Sequence, residues 1–233
     1  MTEREDIRFD VPLYTVAEAA RFLGVPKSSF GNWARGYRVT FRTRPPVVGR
    51  PIVTAFDQPR LHPRIPFIGL AEAFVVHAFR RAGVSLQHVR KAVAVLEREL
   101  GLEHALASQR LFTDGASVLY DYAEAEGDAE LLTNVVTQQR VLADVVSSYL
   151  RLITYGADDW PELLVSPVTE RPIVAIDPLR GFGQPLFIRG GVQVEAVLGR
   201  IRGGDPPAQV AWDFGVPARD VEEVMGVAAG AAA

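Results

Sequence analysis

One motif recurs three times along this 233-residue chain and restricts its fold more than any other feature. It reads hydrophobe, Gly, Val, then Pro or Ser, with a further hydrophobe four positions on. The copies are Leu23-Gly24-Val25-Pro26 with Phe30, Ala82-Gly83-Val84-Ser85 with Val89, and Phe214-Gly215-Val216-Pro217 with Val221. Gly supplies the left-handed residue that ends a helix, Val packs into the corner, and Pro or Ser opens the next helix. Each copy therefore predicts two helices meeting at a corner. The first and third agree further, as Ala17-x-x-Ala20-x-x-Leu23 and Ala208-x-x-Ala211-x-x-Phe214, where small residues let two helices approach closely.

The segments on either side of the first corner point to nucleic acid. Thr15 with Glu18 forms a capping-box signature before the stripe Val16, Ala19, Ala20, Leu23. In the next helix Phe30, Trp33 and Ala34 face inward, which leaves Lys27, Ser28, Gly31, Asn32 and Arg35 outward at helical spacing. From residue 37 the period changes: Tyr37, Val39 and Phe41 alternate with Arg38, Thr40, Arg42 and Arg44, the pattern of a strand with one apolar and one cationic face. Residues 45–51, which include Arg50, read as a loop, and Ile52 to Phe56 as the returning strand. Helix, corner, helix and basic hairpin is the order of a winged helix-turn-helix, in which the second helix enters the major groove and the wing cations reach phosphates or the minor groove.

Charge supports that reading once it is resolved along the chain. The formal net charge of -3 hides two halves of opposite sign: residues 1–110 hold 17 of the 25 Lys and Arg against 10 of the 28 Asp and Glu, so the remainder is strongly acidic. Between Arg21 and Arg64 nine basic residues meet one acid, Asp57. A compact basic block in an acidic protein is an electrostatic footprint for a polyanion. Arg80, Arg81, Arg90 and Lys91 are expected to extend it.

Downstream, residues 65–100 read as a helical pair split at Gly83, with His77 on an apolar stripe as a core histidine. In the middle, Leu111 to Thr113 and Ala116 to Tyr120 flank Asp114-Gly115 as a hairpin, Glu124, Glu126, Asp128 and Glu130 form a solvated loop, and Val135 to Tyr155 is mostly helix. Leu163 to Val168 and Ile173 to Ile176 form a second hairpin, and Ala228 to Ala233 a frayed tail. The expected fold is α+β, mainly α: a winged helix-turn-helix over 1–64, a helical hairpin over 65–100, a mixed region with β-hairpins over 101–180, and a small three-helix, helix-turn-helix-like domain over 181–233.

Chemistry is expected to be absent. With no cysteine and four scattered histidines, thiolate zinc sites and thiol nucleophiles are excluded, and no metal or cofactor is expected. Gly181-Phe182-Gly183 and Gly190-Gly191 fit no phosphate loop, no G-x-S-x-G elbow occurs, and Glu103-His104 lacks the second histidine of a zinc helix. Asp158-Asp159 beside Trp160 reads as a capping loop. No long apolar run suggests a membrane span, and the charged residues 3–8 do not suit a signal peptide, so a cytoplasmic, non-enzymatic protein is expected.

The stretches Tyr14-Thr15-Val16-Ala17-Glu18-Ala19-Ala20, Gly24-Val25, Trp33, and Arg81 to Val89 resemble the MerR family of transcriptional regulators. That family shows arginines in its second helix where this chain has Ser28 and Gly31, and no long dimerising helix is expected after Gly101. Pro185 to Val194, Val197-Leu198, Gly203-Gly204-Asp205 and the third corner resemble a helical domain of bacterial toxin-antitoxin operons. Together the architecture resembles VapB-type antitoxins of a long, winged-helix kind. The resemblance implies a protein that binds operator DNA and a VapC-type partner, a PIN-domain ribonuclease with carboxylates around a metal, and the two-fold symmetry of most DNA readers makes a homodimer the expected state. It also implies a toxin-facing arginine, for which Arg180, Arg189, Arg200, Arg202 and Arg219 are candidates. The alternative is a stand-alone MerR-like regulator sensing a small molecule in the middle region. A fragment ending near Leu100 is expected to keep DNA affinity, and one from Leu102 onward to keep the toxin.

Overall fold

The protein is described by a computed structural model covering residues 5–43, 45–59, 61–101, 103–113, 149 and 151–230. Arg44, Arg60, the Asp114-Gly115 hairpin, the acidic loop at 124–130, most of the helix expected from Val135, and the last three residues of the tail lie outside the described residues.

Helix α1 (Val16–Leu23) starts at the expected capping box: Thr15 Oγ1 accepts from the Glu18 N–H, and Glu18 Oε2 accepts from the Thr15 N–H. It ends at Gly24, whose φ of +65° is left-handed, and the Val25 N–H returns to the Ala20 carbonyl. That six-residue return is repeated by Val84 to Phe79 and by Val216 to Ala211, so the three corners share one hydrogen-bond pattern as well as one sequence pattern. Each corner valine is buried. Helix α2 (Lys27–Arg35) buries Phe30, Trp33 and Ala34 against α1.

Next comes a two-stranded antiparallel hairpin, β1 (Tyr37–Val39) with β2 (Val47–Gly49), in which Tyr37 faces Gly49 and Val39 faces Val47. The returning strand is therefore 47–49 and not 52–56. A close approach sets this register: a Cβ on Gly49 would collide with the Tyr37 ring, and one on Gly36 with the Gly49 carbonyl. Pro51 has no N–H to donate to a ladder, and the N–H groups of Ile52 and Val53 turn back to the Trp33 carbonyl. The apolar face expected along residues 37–44 also lies largely in solvent, since Val39 and Phe41 are exposed.

Helices α3 (Phe67–Arg81) and α4 (Leu86–Leu100) form the expected pair. Every residue of α3 from Phe67 to Val76 is buried, so it is a central helix surrounded on all sides rather than an amphipathic surface one. It is tied to the start of the chain by a bridge between Tyr14 and Ile65.

Beyond Gly101 the middle region departs from expectation. Leu111 to Thr113 belongs to a short helix, α5 (Arg110–Thr113), because Leu111 is buried in the main core and its N–H returns to the Ser108 carbonyl. The helix expected to reach Tyr155 gives way to a strand, because Ile153 and Thr154 are β-branched and find partners in Leu164 and Leu163. Strands β3 (Ile153–Tyr155), β4 (Pro161–Val165), β5 (Val174–Ile176) and β6 (Leu186–Phe187) form one antiparallel sheet in sequence order, with Leu164 opposite Ile176 as the expected second hairpin requires.

Three helices close the chain: α6 (Val194–Arg202), α7 (Pro207–Asp213) and α8 (Ala218–Gly230). The architecture is α+β and mainly helical, with an N-terminal helix-turn-helix. Its two cores do not follow the charge division. The larger runs from Tyr14 through Ala105, Leu106 and Leu111 to Ile153, Leu164 and Ile176; the smaller joins Ile173, Val174 and Phe187 of the sheet to Val197, Val210, Val216, Val221 and Val224 of the last helices. The larger crosses the expected boundary at residue 100 and the smaller the one at residue 180.

Candidate nucleic-acid interface and partner face

Packing Phe30 and Trp33 inward leaves Lys27, Ser28, Asn32 and Arg35 exposed on the opposite side of α2. Gly31 does not join them: it is buried, with the Arg35 guanidinium lying over it, because at this position a side chain longer than hydrogen would displace that arm. Arg38 on β1, Arg42 in the hairpin loop and Arg50 just after β2 are exposed. From residue 19 to 56 the chain carries no Asp or Glu, so nothing on these segments offsets the cations.

Three basic residues counted in or beside the block do other work. Arg64 is buried, and its guanidinium donates to the Phe56 carbonyl through Nε (3.2 Å) and Nη2 (3.1 Å), with Asp57 3.8 Å away. Arg90, expected on the basic surface, is turned inward from α4. Its Nε donates to the Arg50 carbonyl at 2.8 Å and its guanidinium stacks on Tyr37 at 5.0 Å, clamping the base of the wing, while burial pulls its pKa below the ordinary arginine value. No periodicity marks this role, since both contacts are made across some forty residues or more. Arg80 likewise donates to the Val84 carbonyl (2.8 Å) and braces the second corner.

The C-terminal arginines divide into two groups. Arg200 pairs with Asp205 (2.7 Å) and Asp213 (2.8 Å), Arg202 pairs with Glu195, and Arg219 lies 3.7 Å from buried Asp220. Arg180 and Arg189 are exposed and make no ion pair among the described residues. Sequence spacing gave no sign of Arg171, which grips Asp220 and Glu223 (2.7 Å each) and fastens α8 to the turn between β4 and β5.

Several other titratable groups are engaged within the fold. Glu72 on α3 is buried and accepts from the Thr54 N–H (2.5 Å) and hydroxyl (3.1 Å), while His104 Nδ1 lies 3.0 Å from its Oε1. Burial opposes charge on His104, but the Glu72 hydrogen bond and the surrounding carboxylates hold its pKa above the ordinary histidine value. His77 is half-buried against Tyr149 (ring centroids 6.2 Å), and burial with neighbouring Arg81 lowers its pKa. Asp158 pairs with Arg8 (2.5 Å) and accepts the Trp160 N–H, as a turn residue would. Among the described residues no group of His, Cys, Asp and Glu is placed to hold a metal, and no helix is long and apolar enough to cross a membrane.

Residues 12–93, which hold both α2 and the wing, match a family model described as "Putative DNA-binding HTH domain". Over 228 residues the chain is 42% identical to the "Putative antitoxin VapB45" of Mycobacterium tuberculosis, covering 94% of this chain and 95% of that protein. The chain belongs to the VapB45 antitoxin family. A second relative, "Uncharacterized protein Rv2308" of the same organism, is 25% identical over 222 residues, covering 93% of this chain and 90% of that one. The crystal structure of Rv2018 from Mycobacterium tuberculosis superposes with a TM-score of 0.77 at 39% identity, covering 94% of this chain and 99% of that chain. The family likeness thus extends through the middle region and the last three helices, not only through the helix-turn-helix.

Proposed function

We propose that this chain is the antitoxin of a type II toxin-antitoxin pair: its N-terminal face binds operator DNA at its own operon, and its C-terminal half holds and neutralises a PIN-domain ribonuclease toxin. In this reading a homodimer places two copies of α2 in successive major grooves. Lys27, Ser28, Asn32 and Arg35 face base edges and nearby phosphates, and Arg38, Arg42, Arg44 and Arg50 neutralise phosphate along the wing.

The observation that carries the reading is the exposed cationic face of α2 and the wing, free of acidic residues from position 19 to 56. Kinship with a protein named as an antitoxin supports the toxin half. Arg180 and Arg189 are the arginines available to such a partner, since Arg200 and Arg202 are already engaged by carboxylates.

Co-expression with the protein encoded next to it tests both halves. The pair should co-purify, ribonuclease activity should appear only when the antitoxin is removed, and the complex should retard a duplex from upstream of the operon. Ribonuclease activity unchanged by excess antitoxin would refute the toxin half, and no retardation at low salt the DNA half.

A second reading, a regulator that senses a small molecule, draws support from a cleft of about 490 Å³ lined by Arg81, Tyr149, Ser166 and Arg171 among others. Its size is within the range of ligand sites. Melting that shifts with an added metabolite but not with the neighbouring protein would favour it.

A further inference from the structure

Between β5 and β6 the chain makes a loop whose construction holds an aromatic side chain away from the protein. Gly181, Phe182 and Gly183 have φ of +56°, +55° and +72°, three consecutive left-handed residues of which the middle one is a bulky aromatic, a conformation such residues rarely adopt. The loop is tightly bonded. Asp177 Oδ1 accepts the Leu179 N–H (2.8 Å), the Gly183 N–H returns to the Arg180 carbonyl (3.1 Å), the Gln184 N–H to that of Gly181 (3.0 Å), and Gln193 Nε2 also reaches the Gly181 carbonyl (3.2 Å). Its inner side has no room to spare: a Cβ at Gly181 would sit 3.0 Å from Leu186, and one at Gly183 would collide with the buried Tyr14 hydroxyl. Phe182 is 84% exposed, and Leu179, three residues before it, is 79% exposed.

The neighbouring turn adds to this surface. Arg180 Nη2 lies 2.8 Å from where a Cβ of Gly191 would be, which brings the 188–191 turn alongside with its exposed Ile188 and Arg189. The result is an apolar tip flanked by two cations, in the half of the chain that is otherwise strongly acidic. Neither cation forms an ion pair among the described residues, whereas Arg171, Arg200 and Arg202 close by in sequence are each neutralised within the fold. Aromatic and arginine side chains are enriched among the few residues that dominate protein interfaces, and a loop whose backbone is already bonded has less freedom to lose on association.

We propose that Leu179, Phe182 and Ile188, with Arg180 and Arg189, form the docking face for the toxin. The matching surface is an apolar pocket rimmed by carboxylates. The proposal rests on the toxin reading and narrows it to one loop and one turn.

Calorimetric titration of the full-length chain with the purified neighbouring ribonuclease tests it. Asn tolerates left-handed backbone, so Phe182→Asn should melt no lower than wild type yet bind the toxin about tenfold or more weakly. Arg180→Glu with Arg189→Glu should weaken binding at least as much and reverse the sign of its salt dependence, since salt would then screen a repulsion. Operator affinity of the free chain should be unchanged in both, and Trp212→Ala, an exposed aromatic on α7, should leave toxin affinity intact. If wild type binds the ribonuclease and both patch variants bind it equally well, the docking face is refuted while the toxin reading stands. If wild type does not bind it at all, both fall. If the patch variants instead convert a dimeric free chain to monomer with toxin affinity unchanged, the face is a self-association surface and the proposal is overturned.

Discussion

Replacing Gly24 and Gly215 with alanine separates two costs that their shared motif would assign equally. Both residues are left-handed, at +65° and +64°, and forcing alanine there costs about 1–2 kcal/mol. Alanine also restricts the unfolded chain, which returns about 0.4–1 kcal/mol. At Gly215 nothing lies within 4 Å of the new methyl, so the net loss should be about 1 kcal/mol. At Gly24 the methyl would sit 2.9 Å from Val168 Cγ1 in the turn after β4, and overpacking adds about 1–3 kcal/mol. Gly24→Ala should therefore lose about 2–4 kcal/mol. Thermal melting resolves the difference, since for a chain this long each kcal/mol moves the midpoint by roughly 2–4 °C. Adding Val168→Ala should recover part of the Gly24→Ala loss and none of the Gly215→Ala loss, a coupling that a double-mutant cycle isolates. Equal losses at the two glycines, or no coupling to Val168, would refute the claim that the first corner is braced by the sheet.

Three further outcomes are expected. Anisotropy titrations against operator duplex should give a salt slope that falls by about 0.9 for each of Arg38→Ala, Arg42→Ala and Arg50→Ala, with Arg200→Ala neutral because its charge is spent internally and Arg64→Ala lowering stability rather than the slope. His104 has a raised folded-state pKa, so its bond to Glu72 stabilises fully below the ordinary histidine pKa of 6.5 and is lost as pH rises through the folded value. The wild-type advantage in melting over His104→Gln should accordingly shrink between pH 6 and pH 8, and comparing the two proteins cancels His77, whose lowered pKa acts in the opposite sense. A fragment ending at Leu100 should melt non-cooperatively in calorimetry or aggregate, because it lacks Leu106, Leu111, Ile153, Leu164 and Ile176 of the main core, and at about 1.5–3 kcal/mol per large buried side chain their loss rivals a typical domain's entire stability.

What the sequence disclosed was local. The corners, the capping box and the helical pair depend on residues within six positions of one another, and these appear where the spacing placed them. The outward set on α2 was legible for the same reason, apart from Gly31, whose burial depends on where Arg35 folds. The wing was legible in kind but not in register, because its return is set by Gly49 meeting the Tyr37 ring. Ile153 and Leu111 were misassigned because their partners lie elsewhere in the chain. Counting charge identified the basic block but could not tell a cation that faces solvent from one that holds a carbonyl, as Arg64 and Arg90 do.

Charge and packing divide this molecule differently, and the difference bears on how its two faces relate. By charge, a basic half and an acidic half separate near residue 110. By packing they do not. The Phe22 carbonyl accepts the Ser166 hydroxyl (3.3 Å), Gly24 abuts Val168, and the loop bearing Phe182 rests through Gly183 on Tyr14, one residue before the cap of α1. The scaffold that aims α2 is thus braced by the acidic half at three points, one of them the underside of the proposed docking loop. The Tyr14 hydroxyl is buried there with no hydrogen-bond partner among the described residues. The loop bearing Phe182 and the residue before the cap of α1 thus meet directly, through one glycine, across the division that charge draws near residue 110.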